Sequence, residues 1–356
     1  MYSMLPRERV INALNHKKPD KIPKDFWAVP EIWEKLKTYF NTDCEGVLQA
    51  LKVDIREVSP DFKGENQRFL EDGSYIDKMG VHRRKIVNEF GCYEEYASMP
   101  LSYAENVDDL EKYSWPDIDM WDFATLSDKI GDVNKTYYIK METGGLFELA
   151  WALRGFENYL VDMALNPDIA FFIINKITDF YCEFVKRAFA AAGDKIDMVY
   201  TYDDIADQRG LIISPLMWEE YIKPCHERLN RVIKSYGKTI MYHSCGSVVS
   251  IIDRLKKLPI DVLNPLQPMA YGMDFEYIKT KFGSELCFHG GIDIQRILPY
   301  GTRNEIEENV EKVCKTLGNG GGYIMSAAHY IQADTPVENI ITLYQKVEKF
   351  YEGEIV

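Results

Sequence analysis

His243 and Cys245 stand two residues apart in the segment MYHSCG, at the end of a predicted β-strand. In an extended backbone, side chains two positions apart point to the same side of the chain. An imidazole and a thiolate on one side can bind a borderline-soft cation such as Zn2+. A catalytic zinc site needs a third protein ligand and an open position, so the pair predicts a metal centre that another segment must complete.

His329 in SAAHYIQADTP, just after the last predicted strand, is the candidate third ligand. His289 competes for that place, and Glu148 in GGLFELAW is a candidate fourth ligand or a substrate contact. The same residues also permit a plainer interpretation without metal. In that case His243 is a hydrogen-bonded loop histidine, Cys245 a buried thiol and His289 a polar residue that lines the active-site mouth.

Further polar residues follow the predicted strands and are candidates for proton transfer or substrate contact. Asp203 and Asp204 follow the apolar run DMVYTY, and at least one of them can face the mouth as a proton acceptor, as a partner that orients a histidine, or as a substrate contact. A helix cap or a solvated loop carboxylate is the alternative for each. Tyr202, His289 and Asp293 are further candidate substrate contacts.

Two cysteine observations limit the number of metal sites. The seven cysteines are an odd number and widely scattered, which predicts reduced thiols rather than a disulfide framework. Cys225 and His226 are neighbours in a predicted helix, where adjacent side chains point about 100° apart and do not converge on one ion. That pair is predicted to be structural.

The elements that must position these residues are eight short apolar or β-rich runs bounded by Gly, Pro, Asn or Asp. Helical patterns separate nearly all of them; the segment from Ser214-Pro215 to Gly237, for example, carries its own start and stop signals. The predicted strands are 21–27, 52–58, 136–142, 197–203, 238–243, 260–264, 286–290 and 322–327.

Eight strands in a β-α rhythm favour a (β/α)8 TIM barrel, whose catalytic groups lie at the carboxyl ends of the strands. An open doubly wound sheet is the alternative, but no Gly-x-Gly-x-x-Gly follows the first strand. Residues 62–135 break the rhythm and are predicted to be an insertion after the second strand. Residues 1–356 are therefore predicted to form a single barrel domain with that insertion as a decoration.

Composition excludes several classes of partner. The chain has 42 Lys and Arg against 56 Asp and Glu, a formal net charge of −14, so a nucleic acid would bind against net repulsion. No apolar run approaches the roughly 20 residues that a membrane span needs. The first residues, MYSMLPRERV, lack the apolar core of a signal peptide, so a cytoplasmic location is expected.

Over nearly its whole length the sequence resembles the uroporphyrinogen decarboxylase superfamily, and within it the cobamide-dependent methyltransferases. The members of this superfamily have a (β/α)8 barrel. The resemblance lies in the segments RERVINALNHKKPDKIPKDF, PLSYAENVDDLEKYSWPD, METGGLFELAWALRG, YDDIADQRGLIISPLMWEEYIKP, HSCGSVVSIIDRL, DVLNPLQP, FHGGIDIQRILPYGT and GGGYIMSAAHYIQADTPVENI.

Two branches of the superfamily differ at the first strand and at the metal. True uroporphyrinogen decarboxylases carry an arginine-rich segment there, because a substrate with eight carboxylates needs guanidinium partners. The present chain has DFWAVPEIW, without arginine. In the methyltransferases a His-x-Cys pair and a later Cys bind zinc. His243 and Cys245 match the pair, whereas counting back from Thr335-Pro336 places His329 where those enzymes have the cysteine. The decarboxylases also have a histidine there, so the alternative for His329 is a substrate contact inherited from the fold.

The resemblance implies a zinc-dependent methyltransferase that moves a methyl group between a small-molecule heteroatom (methoxy, methylamine, thiol or folate) and the cobalt of a corrinoid. The chain has no Asp-x-His-x-x-Gly corrinoid motif, since Met241 stands where the aspartate would be. The corrinoid is therefore expected in trans, on a separate partner protein. Two alternatives stay open: a metal-independent decarboxylase or lyase of a smaller acid that uses Asp203 and His329, and an inactive binding partner in a methyltransferase complex.

Overall fold

Thirteen β-strands lie in the part of the chain that the computed structural model describes, which is residues 3–88 and 91–351. In chain order they are β1 (Ile55–Val58), β2 (Asp61–Phe62), β3 (Gln67–Phe69), β4 (Tyr75–Asp77), β5 (His82–Asn88), β6 (Gly91–Ser98), β7 (Trp121–Asp122), β8 (Tyr138–Gly145), β9 (Met198–Tyr202), β10 (Thr239–His243), β11 (Val262–Leu266), β12 (Cys287–Ile292) and β13 (Tyr323–Ala327).

Seven of these strands form one parallel sheet in the order β1-β8-β9-β10-β11-β12-β13. The predicted first strand, residues 21–27, closes the sheet into a barrel. On one side Lys24 forms a parallel bridge with Met325 of β13. On the other side the amide of Asp54, just before β1, donates to the carbonyl of Lys24 at 2.9 Å. All eight predicted barrel strands are therefore present, and the prediction of a (β/α)8 barrel is confirmed.

The helices surround this barrel and connect its strands. They are α1 (Pro6–Leu14), α2 (Pro30–Phe40), α3 (Cys44–Ala50), α4 (Val107–Glu111), α5 (Leu126–Ile130), α6 (Leu146–Arg154), α7 (Phe156–Leu165), α8 (Pro167–Ala192), α9 (Pro215–Met217), α10 (Lys223–Ser235), α11 (Ile252–Leu255), α12 (Phe275–Phe282), α13 (Ile297–Tyr300), α14 (Arg303–Gly318) and α15 (Val337–Glu348).

The helix predicted between Ser214 and Gly237 shows how the sequence sets these boundaries. The Ser214 hydroxyl accepts the amide N–H of Met217 at 3.2 Å, which satisfies one free donor of the first turn. A π-helical turn, Trp218–Ile222, joins α9 to α10. Gly237 has a φ of 68°, a backbone conformation that favours glycine and ends the helix.

Strand side chains divide between the barrel interior and the outer helices. A compact apolar cluster fills the interior, with Tyr138, Met198, Met241 and Val262 from neighbouring strands and Val10 of α1 among its members. Because strand side chains alternate, Lys140 and Glu142 follow Tyr138 on the inward face of β8, towards the carboxyl end. The interior therefore becomes polar as it approaches the mouth.

The segment predicted as an insertion lies between β1 and β8. Strands β2 and β7 pair antiparallel, and β3, β4, β5 and β6 form a separate four-stranded antiparallel sheet. We call this second sheet the insertion sheet. It covers one side of the barrel mouth, next to β8 and α6.

Two further sequence expectations can be compared with the structure. Among the described residues, no helix has both the length and the apolar character needed to cross a membrane. The six cysteine side chains that the structure describes are free thiols, and that of Cys92 lies outside them.

Candidate metal centre

His243, Cys245 and His329 converge at the barrel mouth. One ligand atom from each residue lies within 4.8 Å of the other two. His243 is the last residue of β10, Cys245 follows it by two positions, and His329 follows β13 by two positions. The Nε2 atom of His243 is 3.2 Å from the Cys245 sulfur. Closure of the barrel thus brings residues more than 80 positions apart to one place.

The chemistry of these three donors fits a zinc ion with an open coordination position. Burial raises the pKa of the Cys245 thiol, a shift that a bound cation reverses because only the thiolate is a strong ligand. Burial, followed by the charge of His243, lowers the pKa of His329 to about 4. His329 is therefore a neutral imidazole near pH 7, with a lone pair available for a metal.

A buried chain of hydrogen bonds sets the tautomer of His243. Its Nδ1 lies 2.5 Å from Oδ1 of Asn264, and Nδ2 of Asn264 lies 2.5 Å from Nδ1 of His289. Nε2 of His289 lies 3.2 Å from a carboxylate oxygen of Asp25. Burial lowers the pKa of His289, so its ring is neutral.

The Asp25 end of this chain determines the direction of each of its hydrogen bonds. The Asp25 carboxylate can only accept, so His289 donates from Nε2 and accepts at Nδ1. Asn264 then donates to His289 through its amide and accepts from the Nδ1–H of His243 through its oxygen. Nε2 of His243, the atom that faces Cys245, is therefore the nitrogen left for a metal. Although burial opposes it, the charges of Cys245 and Asp204 raise the pKa of His243 well above its usual range, so a metal ion would displace a proton from Nε2.

Asp25 is anchored by a buried ion pair across the barrel. The Lys140 ammonium lies 3.0 Å from Asp25 and 3.2 Å from Glu57, and the indole N–H of Trp27 donates to Asp25 at 2.8 Å. Although burial opposes it, the charge of Lys140 together with His289 holds the pKa of Asp25 well below its usual range. The hydrogen-bonded chain therefore ends on a permanent negative charge.

The two predicted aspartates face different environments. Asp204 accepts the backbone N–H of Cys245 at 2.7 Å, and the same oxygen is 3.4 Å from Nε2 of His243. Asp203 is completely buried; it lies 2.6 Å from Nε2 of His226 and accepts the backbone N–H of Glu148 at 2.9 Å. Asp204 thus borders the metal centre, whereas Asp203 is bound within the fold.

The remaining predicted residues are divided between the mouth and its surroundings. Both ring nitrogens of His289 are occupied by Asn264 and Asp25, so the alternative of His289 as a metal ligand is not supported by its position. Asp293 accepts the amide N–H groups of Gln295 at 2.7 Å and of the following residue, and so stabilises its own loop. Asp293 is absent from the group of converging ligands and from the lining of the adjoining cavity.

Asn264, Asp25 and Lys140 were assigned no role from the sequence. A signal for the two charged residues was present, because each interrupts an apolar strand pattern and a buried charge needs a partner. Asn264 gave only the weaker signal of a polar residue at a strand end. None of these signals indicated that the residues contact one another through His289.

A cavity of about 640 Å3 adjoins the metal centre between the barrel and the insertion sheet. Glu142, Glu148 and Tyr202 line its barrel side, and Tyr75 and Tyr96 line its insertion side. The ring of Tyr202 is 6.4 Å from that of His243, centroid to centroid. The predicted contacts Glu148 and Tyr202 therefore lie in one cavity beside the three ligands.

The two glutamates on the barrel side of this cavity are unusually weak acids. Burial, together with the nearby charge of Glu57, raises the pKa of Glu142 to about 7. Burial, together with the charges of Asp204 and Asp203, raises the pKa of Glu148 to about 7. Both carboxyl groups therefore change charge near neutral pH.

Sequence comparison identifies relatives over most of the chain. The family model described as uroporphyrinogen decarboxylase (URO-D) matches residues 99–350. Among curated proteins, the uroporphyrinogen decarboxylase of Wigglesworthia glossinidia brevipalpis is 29% identical over 96 residues, covering 27% of this chain and 25% of the relative. That of Thermus thermophilus is 22% identical over 177 residues, covering 50% and 48%. The chain thus spans a quarter to a half of the length of these curated relatives.

Among solved structures, a methyltransferase from Methanosarcina mazei superposes with a TM-score of 0.69. The alignment covers 98% of this chain and 99% of that one, at 14% sequence identity. A similarity of this extent at so low an identity establishes a shared fold along the whole chain.

Proposed function

The chain belongs to the uroporphyrinogen decarboxylase (URO-D) family, and within this family we propose that it is a zinc-dependent methyltransferase. It moves a methyl group between a heteroatom of a small molecule and the cobalt of a corrinoid that a separate protein carries. The observation that carries the proposal is the convergence of His243, Cys245 and His329 within 4.8 Å at the barrel mouth. The fold neighbour from Methanosarcina mazei is named a methyltransferase, which agrees with the proposed reaction.

When held by one thiolate and two neutral imidazoles, Zn2+ keeps a net positive charge and acts as a Lewis acid towards a thiolate, ether or amine. The chain's own residues prepare the site for that ion. Asn264 fixes the His243 ring so that Nε2 faces the metal position. Asp204 holds the backbone of Cys245 and brings a second negative charge close to the ligands.

The arrangement of charges argues against porphyrin decarboxylation. A substrate with many carboxylates requires cationic partners, but the mouth carries Asp204, Glu142 and Glu148. Of the cations near it, Lys140 is paired with Asp25 and Arg83 with Asp77, and Lys78 supplies a single charge against a substrate with many carboxylates. A decarboxylase that uses Asp203 and His329 is disfavoured as well, because Asp203 is bound to His226 inside the fold.

Elemental analysis of the purified chain tests the metal directly. We expect about one zinc per chain, lost in a Cys245→Ala variant and kept in a Cys44→Ala variant, whose cysteine is exposed at the start of α3. Methyl transfer to reduced cobalamin should follow the zinc content. A metal-free preparation that still transfers methyl would contradict the proposal, and stable binding of a corrinoid protein without turnover would favour an inactive partner.

A further inference from the structure

The cavity beside the metal centre has the size of a small-molecule site, about 640 Å3. One wall belongs to the barrel and carries Glu142, Glu148 and Tyr202; the opposite wall belongs to the insertion sheet. The insertion is therefore more than a decoration, because without it the ends of β8 and β9 would open directly to solvent on that side.

Asp77 and Arg83 of the insertion wall are satisfied by one another, whereas Lys78 and Glu94 of the same wall also line the cavity. Asp77 lies 2.8 Å from the Arg83 guanidinium and accepts the backbone N–H groups of Met79 and Val81 at 2.9 and 3.0 Å. Burial, together with the nearby Glu94, raises the pKa of the Tyr75 hydroxyl. Lys78 and Glu94 are opposite in charge, so this wall adds no net charge to the cavity.

The barrel wall is different, because its two carboxyl groups are not matched. Among the described residues, neither Glu142 nor Glu148 has an ion pair or a hydrogen bond to its carboxyl group. Both side chains are largely buried, and their raised pKa values, each about 7, reflect the cost of a negative charge without a partner. A cation in the cavity would offset that cost.

Aromatic rings supply the second half of a cation site. The rings of Tyr75, Tyr181 and Tyr202 line the cavity near the glutamates. Aromatic faces attract alkylammonium groups, which are poorly hydrated and present polarised N–CH groups. The same combination already holds a cation deeper in this barrel, where the Lys140 ammonium lies 3.0 Å from Asp25 and 4.5 Å from the centre of the Trp27 ring.

From these contacts we infer that the cavity binds an organic ammonium ion, held by Glu142 and Glu148 against the aromatic rings of both walls. The inference rests on the proposed function in one respect, namely that this ion is part of the substrate of methyl transfer. Tyr202 borders both the cavity and His243, with 6.4 Å between ring centroids. The cavity and the metal centre therefore share Tyr202 as a common border.

Isothermal titration calorimetry with two probes of equal shape tests the charge requirement. Choline and 3,3-dimethylbutan-1-ol differ in that a quaternary nitrogen in the first is a quaternary carbon in the second. We expect choline to bind at least about tenfold more tightly, since aromatic and carboxylate contacts to a desolvated cation exceed about 1.4 kcal/mol. Equal affinity of the two probes would overturn the inference, and this comparison needs no variant.

A double variant, Glu142→Gln with Glu148→Gln, identifies the residues responsible. It keeps the shape of the cavity and removes both charges, so the preference for choline should disappear. Glu308→Gln on the exposed face of α14 is the matched control and should keep the preference. If the double variant also keeps it, the cation binds elsewhere and the inference is wrong.

The same titrations on the Cys245→Ala variant separate the inference from the proposed function. This variant lacks a ligand of the metal centre but has both cavity walls intact. If the Cys245→Ala variant still prefers choline, the cavity is supported as a cation site, even when neither this variant nor the unmodified protein transfers methyl. Loss of the preference would show that the cation depends on the metal centre and would contradict the assignment to the cavity.

Discussion

The Nδ1 atom of His243 lies 2.5 Å from the side-chain oxygen of Asn264, on the neighbouring strand β11. This contact determines which ring nitrogen faces Cys245. It also connects the candidate metal centre, through His289, to the buried ion pair of Asp25 and Lys140. The orientation of the His243 ring thus depends on residues from four other strands of the barrel.

Replacing Asn264 by Ala should weaken zinc binding by about 10- to 100-fold, because His243 loses the acceptor that orients its ring. Competition with a chromophoric chelator measures the affinity, and the absorption of a cobalt-substituted protein reports the ligand geometry. Asn175→Ala, which removes an asparagine from α8 far from the mouth, should leave both unchanged. An unaltered affinity in the Asn264 variant would show that the contact does not position the ligand.

Replacing Asp203 by Ala should lower the free energy of unfolding by about 3 kcal/mol, because it leaves His226 without its partner in a fully buried pair. Urea denaturation measures this loss. Zinc content should stay near that of the unmodified protein, since Asp203 does not face the metal ligands. A stable variant that has lost only catalysis would instead restore Asp203 as a proton acceptor.

Replacing Gly246 by Ala should disturb the loop that carries Cys245. Gly246 has a φ of 83°, and an added Cβ would lie 2.3 Å from the backbone oxygen of Asp207. Gly237 has a comparable φ of 68° with nothing within 4 Å, so Gly237→Ala serves as control and should cost only about 1 kcal/mol. We expect lower thermal stability and weaker zinc binding in the Gly246 variant than in the control, and equal behaviour would be contrary to the geometry.

Glu142 and Glu148 should make folding stability depend on pH. Their pKa values are about 7 in the folded protein, above those of unfolded glutamate, so the folded state binds more protons between these values. The stability that the two protonated glutamates contribute is fully present below the pKa of glutamate in the unfolded chain. It is lost as the pH rises through their pKa in the folded protein.

The free energy of unfolding should therefore fall between about pH 5 and about pH 8, and fall less in the Glu142→Gln, Glu148→Gln variant. Urea titrations at several pH values measure the difference between the two proteins, which removes the contribution of groups that they share. Parallel pH profiles would mean that the glutamates titrate alike in the folded and unfolded chains.

The positions of the barrel strands could be predicted because each is a short apolar run between turn residues. Their ends were less certain: β8 was expected to stop at Glu142 but extends to Gly145, which pairs with Tyr202 of β9. Composition does not distinguish a strand from an extended loop at this point. Only the neighbouring strand, by continuing the ladder, decides where the element ends.

The candidate site was predictable to the extent that barrel geometry alone determines it. Eight closed strands bring His243, Cys245 and His329 to one mouth whatever the side chains around them. The difference between Asp203 and Asp204 depends instead on the direction of each side chain where β9 ends, and a shift of one residue reverses it. The contact between Asn264 and His289 depends on the register between two adjacent strands. The residue pattern of a single segment does not contain that information.

The insertion sheet forms its hydrogen bonds as a sheet of its own, from residue 67 to residue 98, whereas the three converging ligands lie between residues 243 and 329. The wall that faces a ligand and the groups proposed to react with it therefore occupy separate stretches of the gene. Mutations in one stretch can alter which molecule is accepted while the other stays intact.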